Sequence, residues 1–131
     1  MPGPYVYTDV DDLEATDKVG SGQCVVLVQH YAAAPVTSQW REGAAVRGQA
    51  LLAKGTAIAT FVGGRYESHR HGNHAALYLR QDATGIWIMD QWTSAKTKPR
   101  VSSRHIAFKG KDKNGNYVDP SNNADAFAVI N

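Results

Sequence analysis

The sequence predicts an α+β fold, in which a helix near the N-terminus packs against an antiparallel sheet of about four to six strands. Apolar side chains at positions 24, 27, 28 and 31 follow the period of a helix that is buried on one face. Beyond residue 46 the period changes, and short apolar runs separated by turn residues follow. The runs at 74–79 and 85–92 are joined by a short turn, which is typical of an antiparallel hairpin.

Two helices are predicted before the sheet begins. Residues 23–31 form the first, with Ser21 as a plausible N-cap and Pro35 marking its end. Residues 37–47 form a shorter second helix, with Trp40 and Val46 facing inward.

Five strands are predicted from apolar runs between turn residues. They span residues 57–62, 74–79, 85–92, 104–108 and 126–130. Residues 65–73 form a polar loop rich in histidine, and residues 110–123 form an exposed connection rich in Lys, Asn, Gly and Asp.

Length and composition indicate one compact domain over residues 1–131, with residues 1–18 as an N-terminal arm that holds one short turn around 11–15. Hydrophobic residues make up 43% of the chain and charged residues 20%, which is ordinary for a globular protein. No run approaches the roughly 20 apolar residues of a membrane span, so membrane insertion is not expected. The formal net charge of +2 does not favour nucleic acid as a partner.

Residues 1–12 are acidic and lack an apolar block, so no signal peptide is expected. The chain is therefore expected to be made in the cytoplasm, and either to stay there or to leave by a route without a cleaved signal.

Cys24 is the single cysteine, which excludes an internal disulfide and leaves either a packing residue or a functional thiol. It lies in the first turn of the predicted helix, where free backbone N–H groups and the helix dipole lower the pKa of a thiol. His74 begins a predicted strand and suits the role of a base. Asp90, near the end of the next strand, can fix the orientation of the imidazole. Gln23 and the backbone N–H of Cys24 can stabilise an oxyanion.

The segments around these residues resemble those of CHAP-type peptidoglycan amidases. Gly22-Gln23-Cys24-Val25 resembles their Gly-Gln-Cys nucleophile segment, and His74-Ala75-Ala76-Leu77-Tyr78 resembles their His-Val-Ala strand. Met89-Asp90-Gln91-Trp92 resembles the segment that carries their third polar residue, with Asp90 where Glu, Asn, Gln or His is more usual. The whole stretch from about 19 to 92 is similar to NlpC-type amidase effectors that are delivered by type VI secretion. The resemblance implies a papain-like (CHAP/NlpC-type) fold and no cofactor.

The resemblance further implies a cysteine amidohydrolase that cleaves an amide in the stem or cross-link peptides of peptidoglycan, such as the γ-D-glutamyl to diaminopimelate bond. It implies delivery into a target periplasm and an immunity protein as partner. Because stem peptides carry carboxylates, we expect His69, Arg70, His71 and Trp92 to contact the substrate.

Two other hypotheses remain open at this stage. His69-Arg70-His71-Gly72-Asn73-His74 resembles the His-x-His-x-Asp-His metal motif of the metallo-β-lactamase fold, with Asn73 in place of the Asp. Only His105 follows it, so no metal site is expected. A non-catalytic wall-binding or partner-binding module could instead use Trp40, Trp87 and Trp92 as a platform, although aromatic residues at strand spacing are more often in the core.

Overall fold

An α-helix and a six-stranded antiparallel sheet form the fold of the described residues, which are 3–67 and 72–131 of a computed structural model. The helix, α1, spans Cys24–Ala32, and the strands are β1 Glu42–Ala45, β2 Ala57–Thr60, β3 Ala75–Gln81, β4 Gly85–Asp90, β5 Ser102–Ala107 and β6 Phe127–Ile130. Their order across the sheet is β1-β6-β2-β3-β4-β5. The predicted α+β class, with the helix packed on an antiparallel sheet, is confirmed.

Both faces of the central strands are buried, which explains their continuous apolar sequences. In β2, Ala57 and Ala59 belong to the hydrophobic cluster on the helix side, whereas Ile58 belongs to the cluster on the opposite side. In β3, Leu77 belongs to the helix-side cluster and Tyr78 to the cluster on the opposite side. Successive strand side chains point to opposite faces, so the sheet is the middle layer of the fold.

Helix α1 begins at Cys24, but its N-cap is Gln23 and not Ser21 as predicted. The Ser21 hydroxyl accepts a hydrogen bond from the Gln23 N–H instead, at 3.4 Å. Ala33 caps the C-terminal end of the helix in a left-handed conformation with φ of 60°. No helix among the described residues is long and apolar enough to cross a membrane.

The predicted second helix at 37–47 is wrong. Thr37–Gln39 forms a single 3₁₀ turn, and Glu42–Ala45 is the edge strand β1, which pairs with β6. Trp40 and Val46 are nevertheless fully buried, as expected. Pairing with a strand more than 80 residues away overrides the local period.

The five predicted strands are present with shifted ends, because β2 stops at Thr60 and β5 already begins at Ser102. Strands β3 and β4 form the predicted hairpin, with Leu77 paired to Met89. Asp82 stabilises the turn by accepting hydrogen bonds from the Thr84 and Gly85 backbone N–H groups.

The segment predicted as an N-terminal arm packs on the body of the molecule. Val10 and Leu13 lie in a 3₁₀ turn and belong to the helix-side core. Upstream, the Tyr7 N–H donates to the Gly55 carbonyl at 2.9 Å. This part of the chain therefore contributes to the core.

The connection from 110 to 123 is mostly exposed, as predicted, but Asn123 is fully buried. Its side chain accepts from the Lys109 and Asp125 backbone N–H groups and donates to the Gly110 and Val118 carbonyls. A single buried amide thus organises the return of the chain into β6.

Candidate active site

Cys24, His74 and Asp90 lie together at one end of the sheet. His74 immediately precedes β3 and Asp90 is the last residue of β4, so the antiparallel pairing places both at the same end. His74 Nε2 is 2.8 Å from Asp90 Oδ2. The Cys24 thiol lies close enough to the imidazole for each group to shift the pKa of the other. Since Nε2 is engaged by Asp90, Nδ1 is the ring nitrogen that remains for the thiol.

The surroundings of Cys24 favour its ionised form. Burial opposes the thiolate, but hydrogen bonding to His74 and its charge, together with the Ala75 backbone N–H and the Tyr66 hydroxyl, outweigh burial and lower the pKa of Cys24. Cys24 is also the first residue of α1, where backbone N–H groups lack intrahelical acceptors. The site is therefore suited to hold a thiolate.

His74 is held in the protonated form by its two partners. Burial alone would lower its pKa, but the hydrogen bonds and charges of Asp90 and Cys24 raise the pKa of His74 to about 9. Burial likewise opposes the Asp90 carboxylate, yet contacts with His74, Arg104 and Lys98 lower the pKa of Asp90 to about 2. These shifts favour a triad of thiolate, imidazolium and carboxylate.

Two further cations contact the fully buried Asp90. Arg104 Nε donates to Oδ2 at 2.9 Å. Lys98 Nζ lies 2.7 Å from Oδ1 and forms an ion pair with the carboxylate. A buried carboxylate requires such compensation.

Tyr66 is a residue of the site that sequence reasoning missed. Its hydroxyl lies 3.9 Å from Cys24 Sγ and accepts a hydrogen bond from Asn73 Nδ2 at 3.1 Å. When Cys24 is ionised, the Tyr66 hydroxyl is the only possible donor of this pair, so it donates to the sulfur. Tyr66 lies within the predicted polar loop at 65–73 and in no periodic element, so the sequence carries no signal for this role.

Gln91 is a second missed residue, and it links β4 to the start of α1. Its side chain is fully buried. The amide oxygen accepts from Val19 N–H at 3.0 Å, and the amide nitrogen donates to the carbonyls of Val19 and Gln23 at 3.1 and 2.9 Å. The residue after Asp90 therefore positions the residue before Cys24.

A cleft of about 280 Å³ opens beside the triad. It is lined by His74, Trp92, Arg104, Ser121 and Asn122. The indole of Trp92 contacts the His74 ring edge-on, with ring centroids 6.3 Å apart. Substrate bound in this cleft would lie against the imidazole.

The structure describes some of the predicted substrate-contact and oxyanion residues but not others. Trp92 borders the cleft, and Gln23 has an exposed position next to Cys24. His69, Arg70 and His71 lie outside the described residues.

The three indoles of the hypothetical tryptophan platform do not share one surface. Trp40 is fully buried, and its side chain stacks against Tyr66 at a centroid distance of 4.9 Å. Trp87 lies beneath Arg80 and against His105.

The hypothesis of a histidine-rich metal centre conflicts with the position of His74. Asp90 Oδ2 lies 2.8 Å from Nε2 of His74, and the Cys24 thiol interacts with the same ring. Within 3–67 and 72–131, no cluster of three or more His, Cys, Asp or Glu side chains is arranged to hold a metal ion.

The arrangement is suited to acyl transfer through a covalent thioester. A thiolate beside an imidazolium supplies the nucleophile and the acid for a leaving amine, and a carboxylate orients the imidazolium.

Known proteins share this fold and sequence. Residues 9–130 match the sequence model of the family described as domesticated amidase effector 2. A Salmonella typhi protein described as type VI secretion amidase effector 2 is 49% identical over 131 residues, which cover 97% of this chain and 98% of that protein. An Ixodes scapularis protein described as domesticated amidase effector 2 is 32% identical over 116 residues, covering 86% of this chain and 72% of that protein.

A solved structure of a type 6 secretion amidase effector 2 matches with a TM-score of 0.91 and 48% sequence identity, over 98% of this chain and 94% of that one. The resemblance to type VI amidase effectors that the motifs indicated is confirmed. Because the family model spans nearly the whole chain, the chain belongs to the domesticated amidase effector 2 family.

Proposed function

We propose that the chain is a cysteine amidohydrolase that cleaves an amide bond in the stem or cross-link peptides of peptidoglycan. The observation that carries the proposal is the alignment of Cys24, His74 and Asp90, with Asp90 2.8 Å from the imidazole and the thiol on its other side. Membership in a family of amidase effectors supports the reaction class.

In the first half of the reaction, Cys24 Sγ attacks the carbonyl carbon of the scissile amide. The carbonyl oxygen becomes an oxyanion, which the Cys24 backbone N–H and the Gln23 side chain stabilise. The Gln23 carbonyl is held by Gln91, so the adjacent peptide N–H of Cys24 has a defined direction.

Collapse of the tetrahedral intermediate breaks the C–N bond. His74 donates its Nδ1 proton to the leaving amine, and a thioester on Cys24 remains. In the second half the neutral imidazole takes a proton from water, whose oxygen attacks the thioester. Cleavage of the C–S bond then releases the acid product and the Cys24 thiolate, which restores the thiolate–imidazolium pair. Asp90 keeps the ring in one orientation throughout.

Substrate recognition is assigned to the cleft beside His74. Trp92 forms one wall and shields the thioester from bulk water. His69, Arg70 and His71, which precede His74 in the chain, are proposed to contact the polar stem peptide.

The description of one relative supports a route of delivery. A type VI secretion amidase effector is exported, and we propose the same route for this chain, with the periplasm of a target cell as its site of action. We also propose an immunity protein in the producing cell, and the cleft is the surface that such a protein would block.

The proposal is tested on isolated Gram-negative sacculi. Wild-type protein and Cys24→Ala are incubated with sacculi, and the soluble fragments are identified by mass. We expect new peptide fragments with wild type alone and no cleavage between sugars. The fragment masses distinguish a stem bond from a cross-link bond. Sugar-bond products, or equal release by both proteins, would rule out the thiol mechanism.

Matched histidine variants test the assignment of the base. His74→Ala should abolish release, whereas His30→Ala, on the exposed side of α1, should leave it unchanged. His69→Ala and His71→Ala should retain the reaction with weaker substrate binding. Loss of turnover in His71→Ala with full turnover in His74→Ala contradicts the assignment, and circular dichroism of each variant checks its folding.

A further inference from the structure

We propose that Arg104 forms a subsite for a free carboxylate of the substrate peptide, beside the scissile amide. This inference rests on the proposed function, because it concerns the substrate of the same site. The observation behind it is a guanidinium that is fixed from two sides and borders the cleft next to His74.

The guanidinium is held rigidly. Nε donates to Asp90 Oδ2 at 2.9 Å, and Nη1 donates to Asn122 Oδ1 at 2.8 Å. The Trp92 ring lies against the cation, with the guanidinium carbon 5.0 Å from the ring centroid. A group fixed in this way loses little conformational freedom when it binds a ligand.

Part of the guanidinium remains available to a ligand. An arginine has five N–H groups, and two of those of Arg104 have acceptors among residues 3–67 and 72–131. The side chain is 24% exposed, and it lines the cleft together with His74. Two adjacent N–H groups of a guanidinium match the two oxygens of a carboxylate.

The charge of the site also favours an anion. Asp90 is already compensated by Lys98 at Oδ1 and by His74 at Oδ2. Three cations, including Arg104, stand against two anions, Cys24 and Asp90. The Asp119 carboxylate also interacts with Arg104, but it is compensated by Lys109 Nζ at 2.9 Å. One net positive charge therefore remains. Because these groups lie in or beside a partly buried cleft, their attraction for a carboxylate is weakly screened.

A purely positioning role for Arg104 is the competing explanation. In that case Arg104 would act only through Asp90, and all substrates would be affected equally. A carboxylate subsite instead predicts a loss that depends on the charge of the substrate.

Binding to the inactive Cys24→Ala protein separates the two. The probes are a soluble cross-linked stem peptide from Gram-negative peptidoglycan and its derivatives with one carboxylate at a time converted to the primary amide. We expect one amidated derivative to bind about tenfold or more weakly by calorimetry, as loss of a charge-assisted pair requires. Arg104→Gln in this background should remove that difference.

Two further variants keep the test decisive. Arg80→Gln is the matched control, because Arg80 also stacks on an indole, that of Trp87, but does not line this cleft. It should keep the full preference. Asn122→Ala releases one side of the Arg104 guanidinium without removing a charge, so it should reduce the preference partially even if Arg104→Gln folds poorly.

The alternative outcomes are distinct. Equal binding of all peptides by Cys24→Ala, or an unchanged preference in Arg104→Gln, overturns the subsite. So does a shift in the pH dependence of Cys24 alkylation by neutral iodoacetamide in Arg104→Gln with the binding preference intact, since that is the signature of positioning alone. If wild type cleaves no peptide while the Arg104-dependent preference persists, the subsite stands and the proposed reaction fails.

Discussion

At the scale of single residues, the reactivity of the site depends on the groups that surround one sulfur atom. His74, the Ala75 backbone N–H and the Tyr66 hydroxyl all stabilise negative charge on Cys24. The imidazolium needed for this pairing is in turn maintained by Asp90. Each member of the triad therefore depends on its neighbour for its charge state.

Alkylation of Cys24 should report this environment directly. Because the chain has one cysteine, the rate of modification by iodoacetamide measures that thiol alone. The lowered pKa of Cys24 predicts substantial reaction below the usual thiol range of about 8.5. His74→Ala removes the largest stabilising contact, so the inflection of the alkylation rate against pH should move to higher pH.

Tyr66→Phe should move the inflection of the Cys24 alkylation rate to higher pH by a smaller amount, since it deletes one weaker donor. A wild-type thiol that reacts only above its ordinary pKa would contradict the ion pair.

The pH dependence of kcat/KM should have two limbs. In the proposed mechanism, activity requires the Cys24 thiolate and the His74 imidazolium together. As pH falls through the lowered pKa of Cys24, the thiolate is protonated and activity is lost. As pH rises through about 9, His74 loses the proton that the leaving amine needs, and activity falls again.

Asp90→Asn should move the alkaline limb to lower pH, because burial then lowers the pKa of His74 without the opposing carboxylate. Initial rates on soluble peptides across the pH range provide the measurement. If the alkaline limb stays at the same pH in Asp90→Asn, then Asp90 does not control the pKa of His74.

At the scale of elements, the start of α1 and the end of β4 are joined by Gln91. Its side chain makes three hydrogen bonds to the backbone of Val19 and Gln23. Cys24, the proposed nucleophile, is the first residue of the helix, so its position depends on the segment that Gln91 holds.

Gln91→Ala should therefore impair both stability and catalysis. Leaving buried backbone groups without partners costs about 2 kcal/mol or more in the free energy of unfolding. Loss of alignment should lower kcat by about ten- to a hundredfold, with a smaller change in KM. Urea unfolding and steady-state kinetics measure the two effects.

Gln81→Ala is the matched control for this prediction. Gln81 also joins strand to loop, because its amide donates to the carbonyls of Val46 and Gln49 and accepts from the Gly48 N–H. It lies away from the triad, so its loss should destabilise the fold and leave kcat unchanged in the folded fraction. Equal losses of kcat in both variants would mean that stability alone explains the effect.

At the scale of the whole molecule, residues 3–18 complete the helix-side core. Leu13 is 4% exposed and packs in the same cluster as Leu27 of α1. Leu13→Ala should lower the free energy of unfolding by about 2–4 kcal/mol.

Leu51→Ala is the counterpart, because Leu51 is 98% exposed. It should change the free energy of unfolding by no more than about 0.5 kcal/mol. If Leu13→Ala were equally neutral in denaturant titrations, the N-terminal segment would be an arm after all.

Local patterns in the sequence determined the α+β class, the position of α1 and five of the six strands. These features follow from periodicity and turn residues, which act within a few neighbouring positions. The order Cys24, His74 and Asp90 also predicted the residues that meet, since a hairpin brings the start of one strand beside the end of the next. The family resemblance came from the same short segments.

Tertiary structure alone decided the rest, because the partners concerned are distant in the chain. Residues 42–45 look helical locally and become strand β1 only when β6 offers a free edge. Gln91 reaches partners 68 and 72 residues away. The Arg104 guanidinium is directed by Asp90 and Asn122 from two different elements. A hydrogen bond needs both a donor and an acceptor in place. Local sequence identifies one of these two groups, whereas the fold decides which distant group becomes its partner.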